Sequence, residues 1–342
     1  MRKFVYLMAV VLGFTGILVI GLFIRYRNQA MQLDAGTDNL KTYRKHYLFV
    51  SSDESQMLRD IYEKTASACE RSGVWLEWCG KDTPGEYTAS QCIDLSIAMK
   101  ADGMIVYPDG SEDLAGAIER AFGQGIPVVT ILRDIPDSDR VSYVGVSNYQ
   151  VGDLYGGQLL SLLHNGSNEV CLLTDAGDSE NETQLLYTQM VQAIKNGAPS
   201  GRTMELRTES VDSRTDFDAE EVIRDVLLGK ERPDILICLN SAQTECAIQA
   251  LIDYNLVGEV QVIGYYVTDQ ILQALRQELI PVTMTIDTDA LGEDSVQALN
   301  EYLELGRVSS YYNITLSGIT PVTAARYQQK EKEAVSDGEE AG

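Results

Sequence analysis

The chain has 342 residues, with 27 Lys and Arg against 51 Asp and Glu and a formal charge of −24. That length exceeds what one hydrophobic core usually serves, so at least two domains are expected. The acidic balance excludes a general nucleic-acid binder, whose affinity needs clustered cations. With only two histidines, His46 and His164, a histidine triad, zinc site or phosphorelay would need residues from a partner.

After a short flank at residues 1–3, Phe4 to Ile24 is an uncharged apolar run long enough, as a helix, to cross a hydrocarbon layer of about 30 Å. The following Arg25-Tyr26-Arg27-Asn28 offers no small-x-small cleavage site, so the run is expected to stay as a single-pass anchor. No cysteine follows it, which argues against a lipid-modified N-terminus. Arg2 and Lys3 face Arg25, Arg27, Lys41, Arg44 and Lys45 across the span, and charge alone leaves its sidedness open. Residues 25–45 are polar without an apolar period and are expected to form a stalk.

Strand patterns and helical patterns then alternate. A strand is expected over His46–Ser51, then a polar loop and a helix with Met57, Ile61, Ala68 and Cys69 on one side, ended by Ser72-Gly73. Strand Val74–Trp78 and a helix near Thr88–Lys100, with Cys92, Leu95 and Met99 inward, come next. Gly103–Tyr107, a Pro108-Asp109-Gly110 turn, helix Asp113–Phe122 and strand Pro127–Leu132 follow. These β-branched runs between helices indicate parallel strands covered on both faces.

The stretch Tyr143–Gly152 (YVGVSNYQVG) runs from a short strand into the helix-starting pair Ser147-Asn148. It reads as a hinge, with five strand-then-helix units before it and five after. Beyond it lie helix Tyr149–Leu163, strand Glu169–Thr174, a helix over Leu185, Leu186, Met190 and Ile194, a strand near Met204–Arg207 and a helix over Val222–Leu227. Strand Asp234–Leu239, helix Thr244–Tyr254, strand Val260–Tyr265, helix Thr268–Gln277, strand Val282–Ile286 and helix Ala290–Leu305 complete the alternation. Asp102–Leu132 and Asp234–Tyr265 share one order of Asp, strand, turn, helix, loop and strand, an internal repeat of two lobes. Asp287-Thr288-Asp289 reads as a second crossing with Asp289 as a helix cap, and β segments near Asn313–Leu316 and Val322–Ala325 as the third. Residues 328–342 are polar and expected to be disordered.

The expected fold is therefore α/β: two doubly wound parallel-sheet lobes, at residues 46–147 with 287–312 and 148–286 with 313–327, joined by a three-crossing hinge and preceded by one transmembrane helix. Of the six cysteines, Cys171 and Cys238 sit in apolar strands and read as buried hydrophobes. Cys79 and Cys92 flank one loop and would pair in an oxidising compartment if the geometry brings their sulfurs together. The phosphate-cradling loops G-x-x-x-x-G-K-[ST] and G-x-G-x-x-G are absent, no cofactor or metal site is expected, and no constellation supports an enzyme.

From His46 to Tyr327 the chain resembles the type I periplasmic-binding-protein family, in particular the ribose- and galactose-binding proteins of ABC transporters. The resemblance is carried by ADGMIVYPDG, GIPVVTILR, VGVSNYQVG, PDILICLNSAQTECA, VQVIGYY and VTMTIDTDALG in that order. It implies a small polar, sugar-like ligand held between the lobes by polar side chains at strand ends and by aromatic faces. Carried over by position, the implied contacts are Asp53, Glu54, Gln56 and Met57 in the first loop, Asp109, Arg133, Asn148, Asn240, Tyr266 and Asp287. Helix caps, turns and surface ion pairs are the structural alternatives for Asn148, Asp109 and Arg133.

Three departures stand out. Leu132 and Tyr266 occupy positions where sugar binders of this family have Asp, and Gln184-Leu185-Leu186 lies where a helix usually offers Arg. The expected role is a membrane-anchored, extracytoplasmic bacterial binding protein serving an ABC permease or a sensor kinase. The second expectation is a two-lobed interaction module that has lost its ligand, which Tyr265, Tyr266 and Met57 filling the cleft would favour.

Overall fold

The computed structural model describes residues 43–81, 87–111, 113–175, 180–197, 201–211 and 216–327. The apolar run at 4–24, most of the stalk and the tail lie outside them. Among the described residues no helix is long and apolar enough to cross a membrane. The chain divides after Arg44, and the unit from Lys45 onward carries both sheets.

The first sheet is built by β1 (Lys45–Val50), β2 (Val74–Cys79), β3 (Gly103–Val106), β4 (Val128–Ile131), β5 (Ser142–Gly145) and β11 (Tyr311–Asn313), in the order β11-β5-β4-β3-β1-β2. The second contains β6 (Gly166–Asp175), β7 (Arg202–Val211), β8 (Ile235–Ile237), β9 (Gln261–Tyr265), β10 (Val282–Ile286) and β12 (Leu316–Ile319), in the order β12-β10-β9-β8-β6-β7. The first sheet is parallel throughout, and β12 is the one antiparallel edge of the second, Met284 lying opposite Gly318. Strands such as β3, β4 and β10 are buried along their whole length because helices cover both faces, which is why they read as continuous apolar runs.

The helices are α1 (Gln56–Arg71), α2 (Ala89–Ala98), α3 (Leu114–Gly123), α4 (Asn148–Leu162), α5 (Glu180–Gly197), α6 (Asp216–Leu228), α7 (Ser241–Asp253), α8 (Asp269–Arg276) and α9 (Thr288–Leu305), with a last turn α10 at 321–327. The repeat inferred from sequence has a physical basis. Asp102 accepts the His46 amide at 2.7 Å and donates its own to His46 O at 2.8 Å. In the second lobe Asp234 and Glu169 make the same exchange, both at 2.8 Å. Each Asp thus stitches the entry of one strand to its neighbour.

Four expectations are corrected. Before the hinge there are three described helices, not one per strand, because β4 reaches β5 through a loop. Pro136 disfavours helix at Ile135, and Ser138 turns back on Ile135 through both its amide and its hydroxyl. Helix α9 covers β3, β4 and β5 instead, returning from the second lobe. Val322–Ala325 is helical and not β: Pro321 at the first helical position has φ preset for a helix, and Thr320 and Thr323 bond reciprocally across that turn. The cap of α9 is Asp287, whose side chain accepts the Ala290 amide at 3.0 Å, while Asp289 pairs with Lys64 at 2.9 Å. On α2 the inward residues are Ala89, Ser90, Cys92, Ile93 and Ser96, whereas Leu95 and Met99 are exposed. Leu95 projects well round the helix from the buried face centred on Ala89, Ile93 and Ser96, and Met99 is the C-cap residue at the helix end.

The three crossings lie side by side. The chain leaves β5 for α4, leaves β10 for α9 and leaves β11 for β12. Ile314 N donates to Gly145 O at 2.8 Å and Asp287 N donates to Thr315 O at 3.1 Å, so the third crossing is bonded to both others.

Candidate functional site

The C-terminal ends of parallel strands collect side chains that no helix covers, and in open α/β sheets this is where ligands bind. In the first lobe those ends present Tyr107 after β3 and Leu132 and Arg133 after β4. In the second they present Leu239 and Asn240 after β8 and Tyr265 and Tyr266 at and after β9. The Arg133 guanidinium lies over the Tyr107 ring at 5.6 Å from its centroid, within cation–π range. Burial pushes the Tyr265 hydroxyl pKa well up, with Tyr107 adding to the effect and the nearby Arg133 opposing it. Tyr265 of one lobe thus shares its surroundings with Tyr107 and Arg133 of the other.

A single apolar cluster continues from the first lobe into the second. Met57, Leu58 and Ile61 of α1 belong to it, as do Tyr155 of α4, Tyr266, Ile263 and Met284, with Tyr107, Leu132 and Tyr265 packed against its margin. Tyr155 is fully buried and hydrogen bonds to Cys238 O at 3.4 Å. Tyr266 is 4% exposed, and its hydroxyl donates to Asp60 Oδ2 on α1. Asp60 Oδ1 also accepts from Gln56 Nε2 at 2.7 Å.

Leu132 and Tyr266 are equivalent in the two lobes, each following the fourth strand of its repeat. Both have left-handed backbone, φ 61° and 68°, a conformation that costs a non-glycine residue about 1–2 kcal/mol. Left-handed geometry at paired strand ends is stored strain of the kind that concentrates at functional sites. It is held here by Leu132 N donating to Val144 O at 2.9 Å and Tyr266 N to Met284 O at 2.6 Å. The Thr283 hydroxyl donates to Tyr266 O at 2.7 Å.

Met57, at 8% exposure, and Tyr266 lie in the shared cluster, and Gln56 reaches it through Asp60. Asp53 is exposed and folds its carboxylate onto the Ser55 amide at 2.7 Å, while Glu54 pairs with Arg59 at 3.9 Å. Asp109 accepts the Ala89 amide at 2.7 Å and the Ser111 amide at 3.0 Å, ordering the turn and the start of α2. Asn240 caps α7 by accepting from Gln243 N at 2.8 Å, and Asp287 caps α9. Asn148 is exposed in the first turn of α4, whose cap is Ser147.

Asp60, Tyr107 and Tyr155 were not singled out from the sequence. Tyr107 follows the same strand-end rule that marks Arg133, and Asp60 lies one turn beyond Gln56 on α1. Among the described residues no group of three His, Cys, Asp or Glu could hold a metal ion.

Two α/β parallel-sheet lobes joined by three crossings, with polar and aromatic groups at their strand ends, are the architecture of the type I periplasmic binding protein fold. The periplasmic binding protein domain matches residues 47–307, and the chain belongs to that family. It is similar to the D-xylose-binding periplasmic proteins of Escherichia coli K12, 24% identical, and of Haemophilus influenzae Rd, 25% identical. The alignments cover 60% of this chain and 61% and 60% of those proteins, so the chain spans about three-fifths of the length of the curated relatives it matches. Both relatives are binding proteins by description.

Among solved structures the XylFII–LytSN complex is similar at TM-score 0.69 and 23% identity, over 81% of this chain and 98% of that one. A solute-binding protein of an ABC transporter from Burkholderia graminis C4D1M, in complex with D-arabinose, is similar at TM-score 0.71 and 17% identity, over 82% and 97%. At these identities the likeness establishes the fold.

Proposed function

We propose that this chain is an extracytoplasmic solute-binding protein, tethered by the apolar run at 4–24 and the stalk at 25–45, that closes its lobes on a small polar, sugar-like ligand. It would present the ligand or the closed form to an ABC permease or a sensor kinase at the membrane. The observation that carries this reading is the Arg133 guanidinium over the Tyr107 ring in one lobe, with Tyr265 of the other lobe in the same surroundings. A guanidinium offers fixed paired donors to hydroxyls, and tyrosine rings cover the C–H face of a pyranose. The names of the similar proteins, which specify D-xylose and D-arabinose, support a pentose, and the XylFII–LytSN complex supports a protein partner. The proposed ligand contacts are Met57, Arg133, Asn240 and Tyr266, with Asp53, Glu54, Gln56, Asp109, Asn148 and Asp287 as further candidates.

The test is a melting-temperature panel of pentoses, hexoses, polyols and nucleosides on the soluble part, with native mass spectrometry of protein purified without added ligand. A ligand at about 100 times its Kd adds about 2.7 kcal/mol to stability, which shifts the melting point by several degrees. A flat response across the panel, with no retained small molecule, sinks the receptor reading.

A second reading, a two-lobed interaction module without a small ligand, is favoured by one observation: Met57 and Tyr266 are buried in the space between the lobes and Tyr266 bonds across it. It predicts the flat panel, together with retention of a membrane protein partner by the soluble part.

A further inference from the structure

We propose that Cys79 and Cys92 are a dithiol site that closes to a disulfide by exchange with an external low-molecular-weight disulfide. Cys79 ends β2, and Cys92 lies in the first turns of α2, 13 positions later. The Cys79 thiol donates to the Cys92 carbonyl oxygen at 3.7 Å, and the two side chains lie close enough for each to set the other's titration. Gly80 makes this approach feasible. A Cβ there would stand 3.3 Å from the Cys92 sulfur and 3.1 Å from Ser51 O, and its φ of +102° is one that side chains rarely adopt.

The two sulfurs are chemically unequal. Cys79 is partly exposed, and the hydrogen bond from Cys92, with a further one from Ser96, lowers its pKa to about 7 against the opposing effect of burial. Cys92 is fully buried, and its pKa is pushed up by the same hydrogen bond and by desolvation. The remaining cysteines with shifted thiols, Cys69, Cys171 and Cys238, are buried and raised by desolvation. A partly exposed, acidified thiol backed by a buried one is an attacking and resolving pair.

In the first step the Cys79 thiolate attacks one sulfur of the external disulfide RSSR, forming a mixed disulfide and releasing RS⁻. With Cys79 no longer anionic, the cause that raises Cys92 most is removed. Cys92 then passes its proton to the released thiolate and attacks the Cys79 sulfur, expelling the second RS⁻. The balance is two protein thiols and RSSR giving the protein disulfide and two RSH, the protein being oxidised and RSSR reduced. The bond would join the end of β2 to the start of α2. Ser51, which opens the loop running to Glu54, lies directly above, its carbonyl accepting the Trp78 indole at 3.0 Å.

The experiment treats the folded protein with oxidised glutathione, then denatures it without reductant in the presence of an alkylating reagent and maps the peptides. The expected result is a Cys79–Cys92 linked peptide, with Cys69, Cys171, Cys238 and Cys246 alkylated. The melting temperature should rise by about 5 °C, reversibly with dithiothreitol. Cys92→Ser should instead accumulate a stable glutathione adduct on Cys79, and Cys79→Ser should abolish the shift without needing the buried site to be altered. Alkylation of both residues, an unresolved adduct on Cys79 in the unmutated protein, or a link to any other cysteine overturns the proposal.

Discussion

The Tyr266 hydroxyl, just past the end of β9, donates its hydrogen bond to Asp60 on α1, 206 positions away and in the other lobe. A phenol bonded to a carboxylate is a charge-assisted contact, worth about 1.5–3 kcal/mol when broken. Tyr266→Phe keeps the ring in its apolar surroundings and removes only that bond. Its expected effect is a shift of the lobe equilibrium toward the open form by tenfold or more, read as a longer distance between fluorophores on the two lobes. An unchanged distance distribution would mean that packing alone holds the lobes together.

Helix α4 carries Gly152 and Gly156 on one face, against α5. A Cβ at Gly152 would fall 2.2 Å from Gln189 Cβ, and one at Gly156 would fall 2.4 Å from Ala193 Cβ. Gly156→Ala gains helix propensity of about 1 kcal/mol, but the overpacking outweighs it, for a net loss of about 1–2 kcal/mol. Chemical denaturation should show this loss and its partial recovery in Gly156→Ala/Ala193→Gly, since the second change vacates the contacted atom. Additive effects of the two substitutions would argue against a direct clash.

Several helices end in the same bonded turn. After α2, Lys100 N donates to Ile97 O and Ala101 N to Ser96 O; after α8, Glu278 N donates to Leu275 O and Leu279 N to Ala274 O. Lys100 and Glu278, both exposed, sit at the left-handed position with φ 57° and 56°, where glycine is preferred. Lys100→Gly and Glu278→Gly should each stabilise the protein by about 1 kcal/mol, additively because they lie in different lobes. A lower melting temperature in either variant would show that backbone entropy in the unfolded chain dominates there.

Asp294, on α9 near the second crossing, has its pKa raised by desolvation, then by Glu293 and Asp287. A carboxyl with a folded pKa above its unfolded value binds protons more tightly when folded, so it disfavours the native state once both forms are ionised. Asp294→Asn should therefore increase stability at neutral pH. The gain should fade as the pH drops through the raised folded pKa and vanish below the ordinary Asp range near about 4. A gain independent of pH would assign the effect to something other than ionisation.

Much of this architecture was readable in advance because parallel strands and their covering helices impose different apolar periods. The hinge at Tyr143–Gly152, the second crossing at Asp287 and the repeat of Asp102 and Asp234 all carry local signals. Val322–Ala325 misled because a short β-branched stretch says little when Pro321 and Thr320 set up a helical turn just before it. Leu95 and Met99 misled because their apolar character outweighed their angular position on α2. Leu132 and Tyr266 were visible as departures from the family's pattern, but their left-handed backbone was not. Asp60 had no local signal at all: an acid on an amphipathic helix reads as a solvated side chain until its partner arrives from the other lobe. Asn240, Asp287 and Asp109 are spent partly on helix starts, a use that sequence position alone does not separate from ligand contact.

The third crossing, at Ile314 and Thr315, is tied by its backbone to both of the others. A pair of bodies joined by one strap can swivel and slide, whereas three straps laced together leave a single bending axis. The closure proposed above would therefore be a stroke along one path, with opening by a given angle carrying every strand-end group by a set distance. Cutting the chain between Asn313 and Leu316 would leave only the first two crossings, and the expected outcome is a wider spread of lobe orientations.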